Sequence, residues 1–420
     1  MDSTFTLKTD VASMILLQFH EYLKSANDTK DDAFYNKCRE LLLSLDTAQL
    51  QAIFETVYSA SLKREEGRHH HFSVVLTPAL SNFADEIENC HWHGCLENVT
   101  AFENPIPIAD LPKIAPAFEG TNQSLRIWID AEGQVEIWGF ARNFLDYYGL
   151  RIQPLSLGEL LIDIRTQDFP SIRLLMTFAE TCIVQRETPL HALLPKGDTA
   201  AQTGSDAWHK DRHRKRKVFG FVVDIVNKMS LHAHGGTLLF VPPEHAETVM
   251  QKSIKTPIAL KPDGNYSVIK NKLDLEEREF LNSMKSENKN QSLPWNFEKE
   301  ADLLGQFTAV DGATVLTTNF NVIAVGAKIK ESVQVEPAQL KIWLRPAYQD
   351  AEATEKNLSD TGGTRHQSAA HFVYDNREQN AFAIVASQDG KISIIYWDER
   401  LARLSSFTHA EYSYRGLKYS

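Results

Sequence analysis

Cysteine is scarce. The chain of 420 residues holds four, Cys38, Cys90, Cys95 and Cys182. Four cannot staple a chain of this length, so a disulfide scaffold is excluded and a reducing, cytoplasmic setting is expected. Long apolar runs are absent too. No window approaches the roughly 18 uninterrupted apolar residues of a membrane helix, so no membrane span is expected. The N-terminal stretch MDSTFTLKTDVASMILLQFHEYL lacks a basic leading segment and a small-residue cleavage site, so it is not expected to be a secretion signal. Positive charge is in deficit, with 44 Lys and Arg against 55 Asp and Glu and a net charge of −11. A dedicated duplex-DNA binder carries a basic domain or stripe, so nucleic acid is not an expected partner. A few local cations still suffice for a triphosphate. There is no fixed-period repeat. What is present is an ordinary globular composition, 43% apolar and 24% charged, in a length that supports two or three domains.

The first half begins helical. Apolar residues recur at three- and four-residue steps through Val11, Met14, Ile15, Phe19 and Leu23, and again near Cys38 and from Leu50 to Tyr58. Strand-like segments follow at Phe72–Thr77, Ser124–Ile129 and Gln134–Gly139, the last two forming a hairpin around Asp130-Ala-Glu-Gly. Residues 157–193 read as helical or mixed, including Phe169 to Cys182. Loop composition from Pro195 to Ser205 marks a boundary, and the basic run His209 to Lys217 follows it. Val218 to Met229 is apolar at helical spacing, and Gly236-Thr-Leu-Leu-Phe-Val is a buried-strand candidate. Ser283 to Pro294 reads as an exposed loop. A helix over Phe297–Phe307 comes next, then a strand pair (Ala313–Thr317, Val322–Val325), an insertion over 330–361, a Gly-Gly-Thr turn, a short helix, and strands at Ala381–Ala386 and Lys391–Ile395. Helices alternating with short apolar strands indicate an α/β domain on a central sheet. The expected organisation is an N-terminal helical-plus-sheet (α+β) domain over 1–205, a basic linker over 206–217, a nucleotide domain over 218–400 and a tail over 401–420.

Three segments of the second half carry chemistry. Glycine beside Asp311 in Asp311-Gly-Ala lets a ligand approach the backbone closely. Asp311 itself can hold a divalent cation or polarise a ribose hydroxyl. Gly362-Gly-Thr-Arg-His is a flexible turn opening a helix, where backbone N–H groups, Thr364 and Arg365 suit phosphate oxygens. In the family's order, Gly235-Gly-Thr-Leu-Leu-Phe-Val, Asp311-Gly-Ala-Thr-Val-Leu and Gly363-Thr-Arg-His-Gln-Ser-Ala-Ala, followed by Ala383-Ile-Val-Ala-Ser-Gln-Asp, resemble the motifs of the diadenylate cyclase catalytic domain. The resemblance covers roughly 220–400. It implies a mixed sheet flanked by helices and nucleoside triphosphates (ribo or deoxyribo) as ligands. It also implies Mg²⁺ or Mn²⁺, and a homo-oligomer whose facing sites cooperate. Mapped onto this chain it implies Asp311 as the metal-bound catalytic carboxylate. Gly236, Thr237, Gly312, Ala313, Gly363, Thr364, Arg365, His366, Gln367, Ser387 and Gln388 would contact nucleotide, and Asp389 would be a second metal carboxylate. Two positions depart from the family pattern. Gln367 replaces an arginine and Gln388 a glutamate, which leaves open an altered product or a site that binds without reacting.

In the first half, Arg64-Glu-Glu-Gly-Arg, Leu111-Pro-Lys-Ile-Ala-Pro-Ala-Phe and Glu136-Ile-Trp-Gly-Phe resemble a bacterial set of sensor proteins. Those proteins carry a diadenylate-cyclase-like domain and are linked to antiviral conflict systems. That context implies a nucleotide signal, either made or sensed, and a partner effector protein.

Other features take plainer readings. Cys90-His-Trp-His-Gly-Cys95 has zinc-type ligands, but its spacing is too tight for a usual structural site. His69-His-His71 reads as the surface start of a strand, and the 209–217 run as a solvated linker or first helical turn. Trp128 and Trp138 are expected at matched hairpin positions as cross-strand packing. Trp343, Arg345 and Tyr348 in the 330–361 insertion are candidate base or partner contacts. Two functions follow: a nucleotidyltransferase that joins nucleoside triphosphates into a linear or cyclic signal, or a nucleotide sensor without chemistry that regulates a partner.

Overall fold

The computed structural model describes residues 13, 16–17, 40–62, 64–65, 68–69, 72–77, 100–118, 123–130, 132–142, 149–156, 158–165, 172–177, 181–184, 188–194, 218–230, 234–255, 258–259, 298–330, 340–348 and 351–414. The chain divides into two compact units, Met1–Val184 and Gln185–Ser420. Among the described residues no helix is long and apolar enough to cross a membrane. The segments 90–95, 206–217 and 283–294 discussed above lie outside the described residues.

Unit 1 is a helix on a sheet. Helix α1 (Thr47–Leu62) buries Leu50, Ile53, Phe54 and Val57, which is the three-and-four spacing of one helix face. Its sheet has eight strands: β1 (Val74–Leu76), β2 (Thr100–Pro107), β3 (Gln123–Ile129), β4 (Val135–Arg142), β5 (Gly149–Ser156), β6 (Glu159–Arg165), β7 (Ile172–Met176) and β8 (Thr181–Ile183). Their order is β8-β7-β6-β5-β1-β3-β4-β2, antiparallel except for the parallel pair β1–β3. Val74, Leu76, Leu125, Ile127, Ile152, Ile162 and Leu174 meet α1 in one core.

The expected hairpin is present as β3 and β4, but its register corrects the tryptophan reading. A bulge after Arg126 places Trp128 opposite Glu136. The Trp128 indole N–H donates to Glu136 Oε2 at 3.1 Å, and that of Trp138 donates to Thr77 Oγ1 at 3.2 Å. Each indole has a polar partner, and the two are not paired. Of the helical and mixed readings of 157–193 the mixed one holds, since β6, β7 and β8 are strands and Leu190–Leu193 is helical. Leu160, Leu161, Ile162, Asp163 and Ile164 are all buried. A strand covered on both faces loses the alternation that marks a strand in sequence.

The face of this sheet away from α1 carries a charged row. Successive cross-strand pairs align Arg173, Asp163, Arg151, Val75 and Arg126. Arg173 donates from Nε to Asp163 Oδ1 at 2.6 Å and from Nη2 to Oδ2 at 2.8 Å, with the arginine side chain 0% exposed.

Unit 2 is three-layered. Its ten-stranded sheet contains β9 (Gly236–Val241), β10 (Ile254–Lys255), β11 (Ile258–Ala259), β12 (Ala313–Thr317), β13 (Val322–Ile329), β14 (Lys341–Pro346), β15 (Thr354–Asn357), β16 (Phe382–Ala386), β17 (Ile392–Asp398) and β18 (Arg403–Thr408). The order is β10-β13-β12-β9-β16-β17-β18-β14-β15, with β11 also on β13. The pairs β9–β12 and β14–β18 are parallel, so the sheet is mixed. The helices are α2 (Ala246–Ser253), α3 (Glu298–Phe307), α4 (Thr364–Asp375) and α5 (Ala410–Tyr414), with residues 218–230 also helical. The 218–230 helix and α3 pack on one face, against Phe240, Phe382, Ile384 and Ile394. On the other face α4 packs through Ala369, Ala370, Phe372 and Val373, against Leu239, Ala383 and Val385. The architecture is α/β, a mixed sheet with helices on both faces.

Two boundaries differ from the sequence reading. Residues 188–194 belong to unit 2, where Leu190 and Leu194 join its core and the Tyr414 hydroxyl bonds Thr188 Oγ1. Of the expected tail over 401–420, residues 403–408 form β18, which lies between β17 and β14 inside the sheet, and 410–414 form α5. Likewise the 330–361 insertion supplies two of the sheet's strands, β14 and β15.

The bidentate pair gives a stability prediction. Asp163→Ala leaves the Arg173 charge buried without its carboxylate, which is expected to cost about 3–5 kcal/mol. Urea unfolding followed by circular dichroism measures it. A change under about 1 kcal/mol, the range of an exposed pair, would contradict the burial seen here.

Candidate functional site

The turn before α4 builds the site. Gly362 has a φ of +57°, and a Cβ there would lie 2.8 Å from the His366 ring. Glycine is what lets the turn close onto that imidazole. Gly363 is the N-cap and offers no side chain, so Thr364, Arg365 and His366 make the first helical turn with bare backbone at its head. Gly363 O accepts from His366 N at 3.0 Å and Gln367 N at 3.2 Å. The earlier N–H groups of such a helix have no intrahelical acceptor, and they carry the positive end of its dipole. Around Gly363 itself a Cβ would meet nothing within 4 Å.

This turn opens on a cleft of about 970 Å³. Asp311, Gly363, Thr364, Arg365, His366, Ser387, Gln388 and Asp389 all line it. Segments that lie far apart in the chain thus converge as the motif order implied. The remaining walls come from β14, β15, β17 and β18, with Ile342, Leu344, Ile395, Ser406, Thr408 and His409 among them.

The other expected contacts lie elsewhere. Gly236 packs against Thr308, where a Cβ would sit 2.7 Å from the Thr308 Cβ. Thr237 is buried within β9. Gly312, with φ +104°, sits so close to β13 that a Cβ would lie 2.7 Å from the Gly326 carbonyl carbon. That glycine permits strand approach rather than ligand approach. Ala313 starts β12 and is 3% exposed, inside the core. Gln367 turns back, its amide donating to Ser359 O at 3.3 Å, so it braces the turn. Of the insertion aromatics, Trp343 lies under the Arg403 guanidinium at 4.2 Å. Tyr348 stacks with His409 and Tyr412 at 5.8 and 6.1 Å. His409 faces the cleft and no sequence signal marked it. Its left-handed backbone (φ +59°) follows from the β18–α5 corner.

Charge in the cleft is locally divided. Lys356, Arg365 and Lys391 are matched in number by Asp311, Asp360 and Asp389. Asp389 is already engaged: the Ser387 hydroxyl bonds Oδ1, and Lys391 Nζ lies 3.1 Å from Oδ2. The Ser387 hydrogen bond, more than the Lys391 charge, holds the Asp389 carboxyl below its ordinary range. Asp360 accepts from Asn357 and Ser359. Arg365 and Asp311 make no ion pair with a described residue. Among the described residues no group of three or more His, Cys, Asp or Glu converges as a metal site. Asp311 is a cleft carboxylate without a described partner, and one carboxylate would hold Mg²⁺ or Mn²⁺ only together with oxygens of a bound ligand.

Residues 43–142 match the family described as "Probable sensor domain DACNV". The match falls in unit 1, on the stretch whose Arg64, Leu111 and Glu136 segments carried the sensor resemblance. No curated protein matches the chain. Nine solved chains do, among them a double mutant of DacA from Staphylococcus aureus. It is 13% identical, with 48% of this chain and 93% of that chain covered, at a TM-score of 0.22. A score that low supports no inference about site or chemistry.

Two histidines of α4 set a pH dependence. Burial holds both His366 and His371 below the ordinary value of 6.5, while Asp389 and Asp375 respectively pull them partly back. His366 Nε2 lies 3.2 Å from Ser393 Oγ, and both ring nitrogens of His371 are buried without a hydrogen-bond partner. Below about pH 6.5 the unfolded chain takes up protons that the folded chain does not. Their stabilising contribution is therefore complete above that pH and is lost as pH falls toward the depressed folded values. The urea midpoint is expected to drop between about pH 7.5 and 5.5, and His371→Leu to flatten that drop. A midpoint that rises on acidification would refute it.

Proposed function

We propose that unit 2 binds a nucleotide in this cleft and that the chain acts as a nucleotide sensor. The observation that carries the reading is the arrangement at the head of α4. An open glycine N-cap, a helix N-terminus, the Thr364 hydroxyl and an Arg365 guanidinium free of any described carboxylate line one cleft. Helix N-termini and arginine are the standard donors to phosphate oxygens. Two positions that chemistry would use are otherwise engaged. Asp389 is held by Ser387 and Lys391, and glutamine at 367 braces the turn instead of adding charge. The family description of residues 43–142 as a sensor domain supports the same reading. A sensor of this kind passes its occupancy to a partner protein.

A second reading is favoured by one residue. Asp311 is exposed, lines the same cleft and has no described partner. As a base it would take the proton of a nucleotide 3′-hydroxyl. That oxygen would attack the α-phosphorus of a second triphosphate, the new P–O bond forming as the bond to pyrophosphate breaks.

Calorimetry with a panel of ribo- and deoxyribonucleoside triphosphates tests binding, and mass spectrometry of the same mixtures tests chemistry. The expected result is saturable binding without a joined product. Arg365→Ala should weaken binding by roughly 10- to 100-fold, the value of a charge-assisted hydrogen bond. A joined product that disappears in Asp311→Asn would replace the sensor with a transferase. Absence of both binding and product removes both readings.

A further inference from the structure

The cleft has a second half that the phosphate-type donors do not explain. Its floor is the face of β17, β18, β14 and β15 beside α4, which shares a core with Ile395 and Ile342. Strand register defines it in three rows. Ser393 pairs with Thr408. Ile395 pairs with Ser406, which pairs with Leu344. Ile342 pairs with Lys356. Paired residues on adjacent strands share a face, and so do residues two apart along a strand. Ser393, Ile395, Ser406, Thr408, Leu344, Ile342 and Lys356 therefore form one surface, and all of them line the cleft.

The rows differ in chemistry with distance from the helix turn. The first row is hydroxyl-lined, and His366 Nε2 reaches it at Ser393 Oγ, 3.2 Å away. The second row carries Ile395 and Leu344 on either side of Ser406, and the third carries Ile342, with Leu358 joining from the wall. Two residues along a strand advance about 7 Å. The second and third rows thus lie about 7 and 14 Å beyond the row that touches the turn. Along one direction the cleft reads helix N-terminus and arginine, then hydroxyls, then a mainly aliphatic surface around Ser406. A nucleotide has the same sequence of parts: phosphate, hydroxyl-bearing sugar, flat apolar-faced base.

We propose that the strip formed by Ile342, Leu344 and Ile395 is the seat of the nucleobase, so that strand β14 is the specificity-determining element of the site. This rests on the nucleotide reading above. It assigns a binding role to the segment over 330–361 that carries none of the motif residues. Leu344 is the residue to vary. It is partly exposed and lines the cleft, whereas Ile342 and Ile395 are 2% and 1% exposed and back it from the core.

The test compares the four ribonucleoside triphosphates with inorganic tripolyphosphate, by calorimetry on the full chain. The native chain should bind at least one nucleoside triphosphate about tenfold or more tighter than tripolyphosphate. Leu344→Ala should weaken nucleotide binding roughly tenfold and move tripolyphosphate affinity less than about twofold, which also reports that the variant is folded. Leu344→Lys should erase the preference for nucleotide, and Arg365→Ala should weaken both ligands together. If nucleotides bind but Leu344→Ala leaves their affinity unchanged, or weakens both ligands equally, the base seat is wrong while the nucleotide reading stands. If neither nucleotide nor tripolyphosphate binds, the nucleotide reading falls and takes the base seat with it.

Discussion

The candidate site depends on how closely one helix can approach one sheet. Helix α4 meets the sheet through Ala369 and Ala370, against Ala383 and Val385 of β16 and Leu239 of β9. On the helix side the two alanines sit beside Phe372 and Val373, which join the same core. The helix so seated has His366 Nε2 at Ser393 on β17. A larger residue at 369 or 370 would lift the turn off its floor. The same seat leaves β18, β14 and β15 to floor the cleft beside the helix. Close packing at one end of the sheet and openness at the other are two results of one contact.

The electrostatics of the cleft are built from pairs rather than from a field. Equal numbers of acidic and basic side chains line it, so the cleft as a whole does not steer anions. What differs from place to place is which charge is already answered. Lys391 and Asp389 answer each other, and Ser387 fixes that carboxylate further. Asp360 is held by its own short turn. Lys356, Arg365 and Asp311 remain, two cations and one anion without an ion pair to a described residue. Recognition in such a site comes from contact geometry, and little of it would be lost at moderate salt.

Much of this was legible in the sequence, for reasons that can be named. The motif residues Asp311, Gly363, Thr364, Arg365, His366, Ser387, Gln388 and Asp389 meet at one cleft, because each sits at a strand end or helix start where side-chain chemistry outweighs packing. Strands β9, β12 and β16 announced themselves as short apolar runs. Illegible were the elements whose pattern is mixed by position. β18 reads Arg-Leu-Ser-Ser-Phe-Thr, and two serines at the centre of a strand hide it. β14 and β15 carry charge because they approach the sheet edge. β6 conceals its alternation because both of its faces are covered. Gly236, Gly312 and Ala313 sat in the right motifs and do another job. Their smallness admits Thr308 and strand β13, and spacing alone cannot tell a glycine that admits a ligand from one that admits a neighbouring strand.

The position of β18 has a consequence for how the chain is made. It sits between β17 and β14 and joins strands drawn from residues 341–346 and 392–398. During synthesis the β14–β15 ribbon emerges well before the strand that ties it to the sheet. Until residues 403–408 have left the ribosome, that ribbon has no place in the sheet and the cleft has no floor. Long-range closures of this kind come late and slowly in folding. A chain that stops short of residue 408 therefore lacks the strand that joins the β14–β15 ribbon to the sheet.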